Sequence, residues 1–314
     1  MREKRQRLWG IVLVIALYIW GFDARAETNA PPLEVLVLGS GGPGAAGRAS
    51  SCYLVFVDGV ARILVDAGPG SFARLGEAKA SLDKTDIVLL THLHIDHTGE
   101  LPGLFKARAV SSSNPIVFDI WGPIGSPKHL QDAYFPATSQ LTELLFGTKG
   151  AFSYLRDFSA PMTLHAHDLV APDAHAEMHT IYEHGGLTIK AIAGHHGDAP
   201  AIIYRIEHAG KSVTFTGDID AKGLAALRSL AKETDLLVFN SVVLDPPGSP
   251  AILYTLHTPP LAIGQVAKEV GTKGLLLSHL TPTIDDNVDA VTKSIRGSYA
   301  GVLTFAKDGM RVRP

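Results

Sequence analysis

Four side chains that commonly bind metal ions lie within six residues of one another. His92, His94, Asp96 and His97 follow the apolar run Ile87–Leu90, which is short and bounded by polar residues and is therefore predicted to be a buried strand. Because strand side chains repeat with period two, His92 and His94 are expected on one side of the chain, with Asp96 and His97 on the following turn or helix. Imidazole and carboxylate are ligands of zinc and similar divalent metals, so the stretch predicts a metal site.

Three further fragments each consist of a predicted strand that ends in a ligand-type residue. One leads into His195 and His196, the second into Asp218 and the third into His279. Strands of α/β folds place their sites at one sheet edge, so these side chains can converge on the first cluster. Together the groups would suffice for two metal ions, although spacing alone does not decide between His195 and His196.

The elements that must position these groups come as runs of strands followed by strands that alternate with helices, twice over. The predicted strands are residues 33–38, 52–57, 61–65, 87–90, 187–192, 201–207, 212–216, 236–240, 274–277 and 302–305, and the predicted helices are 101–110, 127–134, 223–232, 260–270 and 288–295. Two such halves packed sheet against sheet, with helices outside, form an α/β four-layer αββα sandwich, which is the predicted fold.

Several segments between these elements keep alternatives open. The glycine-rich turn at residues 39–47 precedes a strand, so we expect it to bring backbone close to the metal pocket or to form a tight connection. The aromatic-rich residues 135–160 form either a substrate-facing excursion or a helical hairpin packed on the domain. Five histidines, from His165 to His184, lack tight ligand spacing and are expected at the surface. The single cysteine, Cys52, is expected to be a buried structural thiol.

The first 26 residues have the pattern of a signal peptide: a basic start, an apolar run and Ala24-Arg25-Ala26 as a cleavage site. An uncleaved membrane anchor is the alternative. The remaining residues, 27–314, fit one large domain of a periplasmic or secreted protein that does not contact the membrane. That domain has a net charge of −6 with histidine neutral. Since nucleic-acid binding depends on neutralising phosphates, we expect no nucleic-acid partner.

The ordered motifs resemble those of the metallo-β-lactamase superfamily, over nearly all of residues 27–314. They are Val65-Asp66-Ala67-Gly68, residues 91–97, the region of His196, Thr216-Gly217-Asp218 and Ser278-His279-Leu280. The resemblance implies that one zinc ion is held by His92, His94 and His196. A second would be held by Asp96, His97 and His279, with Asp218 bridging both. Asp66 would support the site without being a ligand.

Within the superfamily, the chain is most similar to tRNase Z and to the alkyl- and arylsulfatase-like enzymes. The likeness lies in the glycine signature of residues 38–51 and in residues 196–205. In that family the ligand precedes a tyrosine, here Tyr204, by eight residues, which selects His196 over His195. His257 with Thr258 resembles an extra histidine motif that is associated in tRNase Z with proton transfer at the scissile ester. The long basic arm with which tRNase Z grips tRNA is not recognisable.

The predicted activity is therefore hydrolysis of a small-molecule phosphate or sulfate ester by two divalent ions, zinc or else manganese or iron, that share a bridging water. Asp96 would orient this water and His257 would protonate the leaving group. A lactone or other carboxyl-ester hydrolase on the same site is one alternative, and a non-catalytic periplasmic metal-binding protein is another. The sequence leaves the oligomeric state open, a homodimer included.

Overall fold

A computed structural model of the protein describes residues 30–44, 46–130, 133–169 and 177–314. The predicted signal peptide, residues 1–26, lies outside this part of the chain. No helix within the described part is both long and apolar enough to cross a membrane.

The described residues form two large sheets, one small hairpin and eight α-helices. The strands are β1 Leu33–Gly39, β2 Cys52–Val57, β3 Val60–Val65, β4 Ile87–Leu89, β5 Ile116–Pro123, β6 Ser126–Leu130, β7 Ala133–Phe135, β8 Met162–Leu169, β9 His179–His184, β10 Leu187–Ala193, β11 Ile202–His208, β12 Lys211–Phe215, β13 Leu236–Asn240, β14 Gly274–Ser278, β15 Val302–Phe305 and β16 Arg311–Val312. The helices are α1 Ser71–Glu77, α2 Ile95–Thr98, α3 Leu101–Val110, α4 Thr138–Phe146, α5 Leu224–Leu230, α6 Pro260–Val270, α7 Pro282–Asp285 and α8 Val288–Arg296. Short 3₁₀ helices span Ser153–Asp157, Ala221–Gly223 and Ala251–Thr255.

Each large sheet has seven strands, antiparallel on one side and parallel on the other. The first has the order β16-β1-β2-β3-β4-β5-β8, in which β3, β4, β5 and β8 are parallel. The second has the order β15-β14-β13-β12-β11-β10-β9, in which β12 to β15 are parallel. Central strands such as β1 and β13 are buried along their whole length, which explains their unbroken apolar sequences.

The protein has four layers, in the order helices, sheet, sheet, helices. An apolar cluster lies between each pair of neighbouring layers. The central cluster joins the facing sheets, and there the rings of Tyr53 and Phe215 lie 5.2 Å apart. A second cluster packs α1, α3 and α4 on the first sheet, and a third packs α5, α6 and α8 on the second. The predicted αββα sandwich is therefore confirmed.

The sequence-based interpretation was wrong or incomplete around the middle of the chain. Of residues 127–134, predicted as a helix, the described ones, 127–130 and 133–134, instead belong to the hairpin β6–β7. The segment has too few apolar residues to bury a helix face, whereas the hairpin pairs its backbone directly. Strands β5, β8, β9 and β16 were not predicted. The last three are sheet edges, and the exposed polar residues of β8 and β9 hide the apolar pattern.

Candidate metal centre

The ends of four strands bring the predicted ligands to one edge of the sandwich. His92 and His94 follow β4, and the short helix α2 carries Asp96 and His97. On the facing sheet, His196, Asp218 and His279 follow β10, β12 and β14 respectively. The strand ends therefore converge as the sequence pattern predicts.

Asp218 lies at the middle of this cluster. Its Oδ2 atom is 3.4 Å from Nε2 of His279 and 3.7 Å from Nε2 of His196. The same oxygen is 3.8 Å from Nε2 of His97 and 3.9 Å from Nε2 of His92. One carboxylate oxygen thus faces imidazoles from both sheets, as a group shared by two ions would.

The remaining ligands fall into two groups of three on either side of Asp218. In each group the potential ligand atoms all lie within 4.8 Å of one another; the groups are His92, His94 and His196, and Asp96, His97 and His279. Within the second group, Nε2 of His279 is 3.1 Å from Oδ2 of Asp96. All seven side chains that the resemblance implies as ligands therefore lie together. Two further groups meet the same distance limit: His92, His97 and Asp218, and His196, Asp218 and His257.

The donor set fits divalent cations. Nε2 of His97 is buried without a hydrogen-bond partner among the described residues, although it faces the carboxylates of Asp96 and Asp218. Buried polar atoms are rarely left unpaired, and a bound cation would satisfy this one.

Burial holds the pKa of His92 well below its ordinary value, so its imidazole is neutral and able to bind metal. Burial alone would raise the pKa of Asp218, but the surrounding imidazoles, His279 first, hold it well below its ordinary value.

Several contacts outside the ligand set orient the ligands. Asp66 accepts hydrogen bonds from the Thr91 backbone N–H and hydroxyl and from Nδ1 of His97, each at 2.8 Å. Nδ1 of His196 donates to the Leu256 carbonyl at 2.7 Å. Because Nδ1 is used in both rings, Nε2 is left for a metal. Asp66 and His279 also have left-handed backbones, with φ of 55° and 58°, a strain that is common at functional sites.

Sequence reasoning did not identify Asn240, whose side-chain amide donates to Oδ1 of Asp218 at 2.7 Å. Asn240 is the last residue of β13, so the pattern of a strand ending in a polar residue could have found it.

His257 lies beside the ligands, and its role as a proton donor stays a prediction. Its Nδ1 atom is 3.9 Å from Oδ2 of Asp218, and the ring centroids of His257 and His196 are 5.2 Å apart. Burial outweighs the attraction of Asp218 and lowers the pKa of His257 to about 4. His195, in contrast, turns to Asp220, where its Nδ1 is 2.7 Å from a carboxylate oxygen.

Three of the five histidines from His165 to His184, and the cysteine, lie where the sequence indicated. His165, His179 and His184 are exposed on the edge strands β8 and β9, whereas His167 is half-buried beside Trp121. His175 lies outside the described residues. Cys52 is fully buried in the core, and burial raises the pKa of its thiol.

The structure also describes the two segments for which the sequence left alternatives open, the glycine-rich turn at residues 39–47, apart from residue 45, and the aromatic-rich residues 135–160. The glycine-rich turn approaches the metal centre: a Cβ atom on Gly42 would lie 2.9 Å from Nδ1 of His279. In the aromatic segment, Phe146, at the end of α4, and Phe152 pack in the core, as a segment packed on the domain would, while Phe135 lies beside His94 with ring centroids 5.7 Å apart.

Comparison with known proteins identifies relatives of the whole domain. The sequence profile of the family described as "Beta-lactamase superfamily domain" matches residues 61–280. Ribonuclease Z of Mycobacterium sp. (strain KMS) is 30% identical over 271 residues, which cover 82% of this chain and 87% of that protein.

Solved structures show the same fold at lower identity. The short form of human tRNase Z superposes with a TM-score of 0.64 at 22% identity and covers 89% of this chain and 98% of its own. The metallo-β-lactamase fold protein YhfI from Bacillus subtilis gives the same TM-score at 24% identity and covers 90% of this chain and 99% of its own.

These relatives overturn one expectation from the sequence. We expected a small-molecule ester as substrate and no nucleic acid, but the curated relatives are named as ribonucleases. The expectation was wrong because net charge is an average over the whole surface, whereas a scissile phosphate meets only the local charge at the site. The family profile, the ribonuclease Z relative and the cluster of potential metal ligands all indicate the same family of metal-dependent hydrolases. The chain belongs to the metallo-β-lactamase superfamily and is a metal-dependent hydrolase of its tRNase Z branch.

Proposed function

We propose that this chain is a dinuclear zinc phosphodiesterase that cleaves RNA. The arrangement around Asp218 carries the proposal, since one buried carboxylate oxygen lies between two complete groups of three ligands. The name of the curated relatives, ribonuclease Z, supports RNA as the substrate class. The alternative of a carboxyl-ester hydrolase has no such support.

The proposed ligand assignment follows the two groups. One ion would be held by His92, His94 and His196, the other by Asp96, His97 and His279, with Asp218 shared. Five imidazoles and two carboxylates favour zinc, although manganese and iron also accept this donor set. When bound, two such ions supply an activated water and neutralise charge on the phosphate.

Asp96 and His257 are the proposed catalytic side chains of the protein itself. Burial alone would raise the pKa of Asp96, but its hydrogen bond with His279 and the charge of His97 lower it, so the carboxylate stays ionised. It can therefore accept a hydrogen bond from the attacking water and orient it. His257 lies beside Asp218 and His196. With a pKa of about 4 its imidazole is neutral near pH 7, so the ring must gain a proton as the negatively charged phosphate binds beside it before it can pass one to the leaving oxygen.

A cleavage assay with an RNA oligonucleotide tests this proposal. The zinc-loaded protein should cleave the RNA, a chelator should stop cleavage, and Asp96→Ala should lower the rate by about 10²–10⁴-fold with little change in circular dichroism. The exposed Asp289, on α8, provides the matched control Asp289→Ala. Failure of the zinc-loaded protein to cleave any RNA would refute the substrate class, and full activity of Asp96→Ala would remove Asp96 from catalysis.

We also propose that residues 1–26 direct export to the periplasm or medium, on the sequence pattern alone. Cell fractionation and N-terminal sequencing test this. A mature protein that begins at Glu27 outside the cytoplasm is expected, and an intact cytoplasmic chain would contradict it.

A further inference from the structure

The metal centre opens on one side into a cleft of about 830 Å³. The ligands His94 and His196 form its inner wall. Anything bound in the cleft therefore lies directly beside a phosphate held at the metal centre. Neither the relatives nor the ligand set assigns an occupant to this space.

Part of the cleft wall is apolar and aromatic. The ring of Phe135, at the end of β7, has its centroid 5.7 Å from that of His94. Ile252, which also lines the cleft, is 67% exposed. Beside it, the hydroxyl of Tyr254 is held by the Leu244 carbonyl and the Ser249 backbone N–H, each at 2.9 Å, which fixes the ring. The wall thus offers flat, preformed surfaces.

The rim of the cleft carries polar groups with a fixed orientation. Asp220 holds Nδ1 of His195 at 2.7 Å and also accepts a hydrogen bond from the Lys222 backbone N–H at 2.8 Å. Nε2 of His195 makes no hydrogen bond to any described residue and is left for a ligand. Lys222 is exposed at the same rim and forms no ion pair with the residues that the structure describes.

We propose that the cleft binds the nucleoside attached to the scissile phosphate, an inference that rests on the proposed function. The base stacks on Phe135, while His195 hydrogen-bonds the sugar and Lys222 pairs with a neighbouring phosphate. An uncharged aliphatic carboxyl ester would not need the positive charge of Lys222. A simple inorganic anion would not need the aromatic ring of Phe135. A nucleotide combines a flat aromatic ring with negative charge, and stacking with cationic contacts is how single-stranded nucleic acids are held.

Two phosphodiesters with the same leaving group test the inference: uridine 5′-(p-nitrophenyl phosphate) and methyl p-nitrophenyl phosphate. The wild-type protein should have the higher kcat/KM for the uridine ester. Phe135→Ala should lower the ratio of the two kcat/KM values by about tenfold, the size expected for one lost base stack. Lys222→Met should weaken binding of uridine 5′-monophosphate, measured by calorimetry on the zinc-loaded protein. The control Phe158→Ala removes a ring that is 46% exposed and packs against Lys106, away from the cleft, and should leave the ratio unchanged.

The outcomes separate the two proposals. If RNA and both esters are left intact by the zinc-loaded protein, the proposed function fails, and calorimetry with uridine 5′-monophosphate still decides whether the cleft binds a nucleotide. If RNA and the esters are cleaved but Phe135→Ala leaves the ratio of the two ester kcat/KM values unchanged, the function stands and the nucleoside site is refuted. Equal binding of uridine 5′-monophosphate by the wild type, Phe135→Ala and Lys222→Met would refute it as well.

Discussion

Asp66 accepts three hydrogen bonds on its two carboxylate oxygens, and all three come from the segment that carries the first metal ligands. Through the bond from Nδ1 of His97, Asp66 determines which ring nitrogen of that ligand faces the metal centre. The residue is buried and its backbone is left-handed, a conformation that asparagine also tolerates. Replacement by asparagine therefore changes the hydrogen bonds and little else.

We predict that Asp66→Asn lowers zinc affinity by about 10- to 100-fold, the usual effect of losing a contact that orients a ligand. Whichever carboxylate oxygen it replaces, the amide nitrogen of asparagine would face an N–H donor. At one position this is the Thr91 backbone N–H, and at the other it is Nδ1 of His97, which could avoid the conflict by moving its proton to Nε2. Competition with a chromogenic chelator measures the affinity. Asp119→Asn is the control, because Asp119 contacts His165 and His167 on the first sheet instead of the metal centre. Equal zinc affinities in wild type and Asp66→Asn would disprove this orienting role.

At the residue scale, the sequence predicted which side chains converge, because ligand types are rare and their positions after strands are regular. One short stretch of the sequence contains four of the seven predicted ligands, His92, His94, Asp96 and His97. The choice of His196 over His195 came from a family resemblance, since both follow the same strand. In the structure the two histidines have different hydrogen-bond partners: His195 contacts Asp220, whereas His196 contacts the Leu256 carbonyl. The contact between Asn240 and Asp218 depends on how neighbouring strands align, which local sequence does not specify.

The loop between β1 and β2 packs against one of the ligands, His279. Asp308, from the C-terminal segment, accepts hydrogen bonds from the backbone N–H groups of Ser40 and Ala49 at 3.0 and 2.8 Å. The loop is held so that Gly42 packs against the imidazole of His279. Because the backbone φ of Gly42 is not positive, this glycine is required for space alone.

Gly42→Ala should therefore destabilise the zinc-loaded protein by about 1–3 kcal/mol, the usual cost of overpacking, and weaken binding at the second metal position. The added Cβ would lie 2.9 Å from Nδ1 and 3.0 Å from Cε1 of His279, so the ring must shift. Thermal unfolding in the presence of zinc measures the change. Gly44→Ala is a matched control in the same loop, since nothing lies within 4 Å of its added Cβ. A Gly42→Ala protein as stable as this control would contradict the packing argument.

At the element scale, prediction succeeded for strands buried along their whole length and for the edge strand β15, and it missed the internal strand β5 and the edge strands β8, β9 and β16. Strands such as β1 and β13 are covered on both faces, so their apolar runs are unambiguous. Strand β8 alternates histidines with apolar residues because one of its faces is partly open to solvent, and its sequence looks like a loop. The hairpin β6–β7 is stabilised by pairing between its own two strands, which the composition of residues 127–134 does not indicate.

The two sheets must keep a fixed separation for ligands from both to meet around Asp218. Tyr204, on β11 of the second sheet, reaches across the core, and its hydroxyl donates to the carbonyl of Leu90 at 3.0 Å. Leu90 lies two residues before His92. This bond therefore links the relative position of the sheets to the metal centre.

We predict that Tyr204→Phe lowers the free energy of unfolding by about 1–3 kcal/mol, because the Leu90 carbonyl is left buried without its partner. Urea unfolding of the metal-free protein measures this value without a contribution from bound ions. Tyr154→Phe removes a hydroxyl from a residue that is 55% exposed and should have little effect. Similar unfolding free energies for the two variants would show that the Tyr204 hydroxyl does not hold the sheets together.

The whole molecule is thus a sandwich whose facing sheets each contribute part of one ligand set, and the central claim is that this set holds two catalytic ions. Titrating zinc into the chelator-stripped protein, while following hydrolysis of bis(p-nitrophenyl) phosphate, tests the claim most directly. The stripped protein should be inactive, and the rate should rise with added zinc and level off at two ions per chain. Full activity without metal, or a rate that levels off at one ion per chain, would contradict the account.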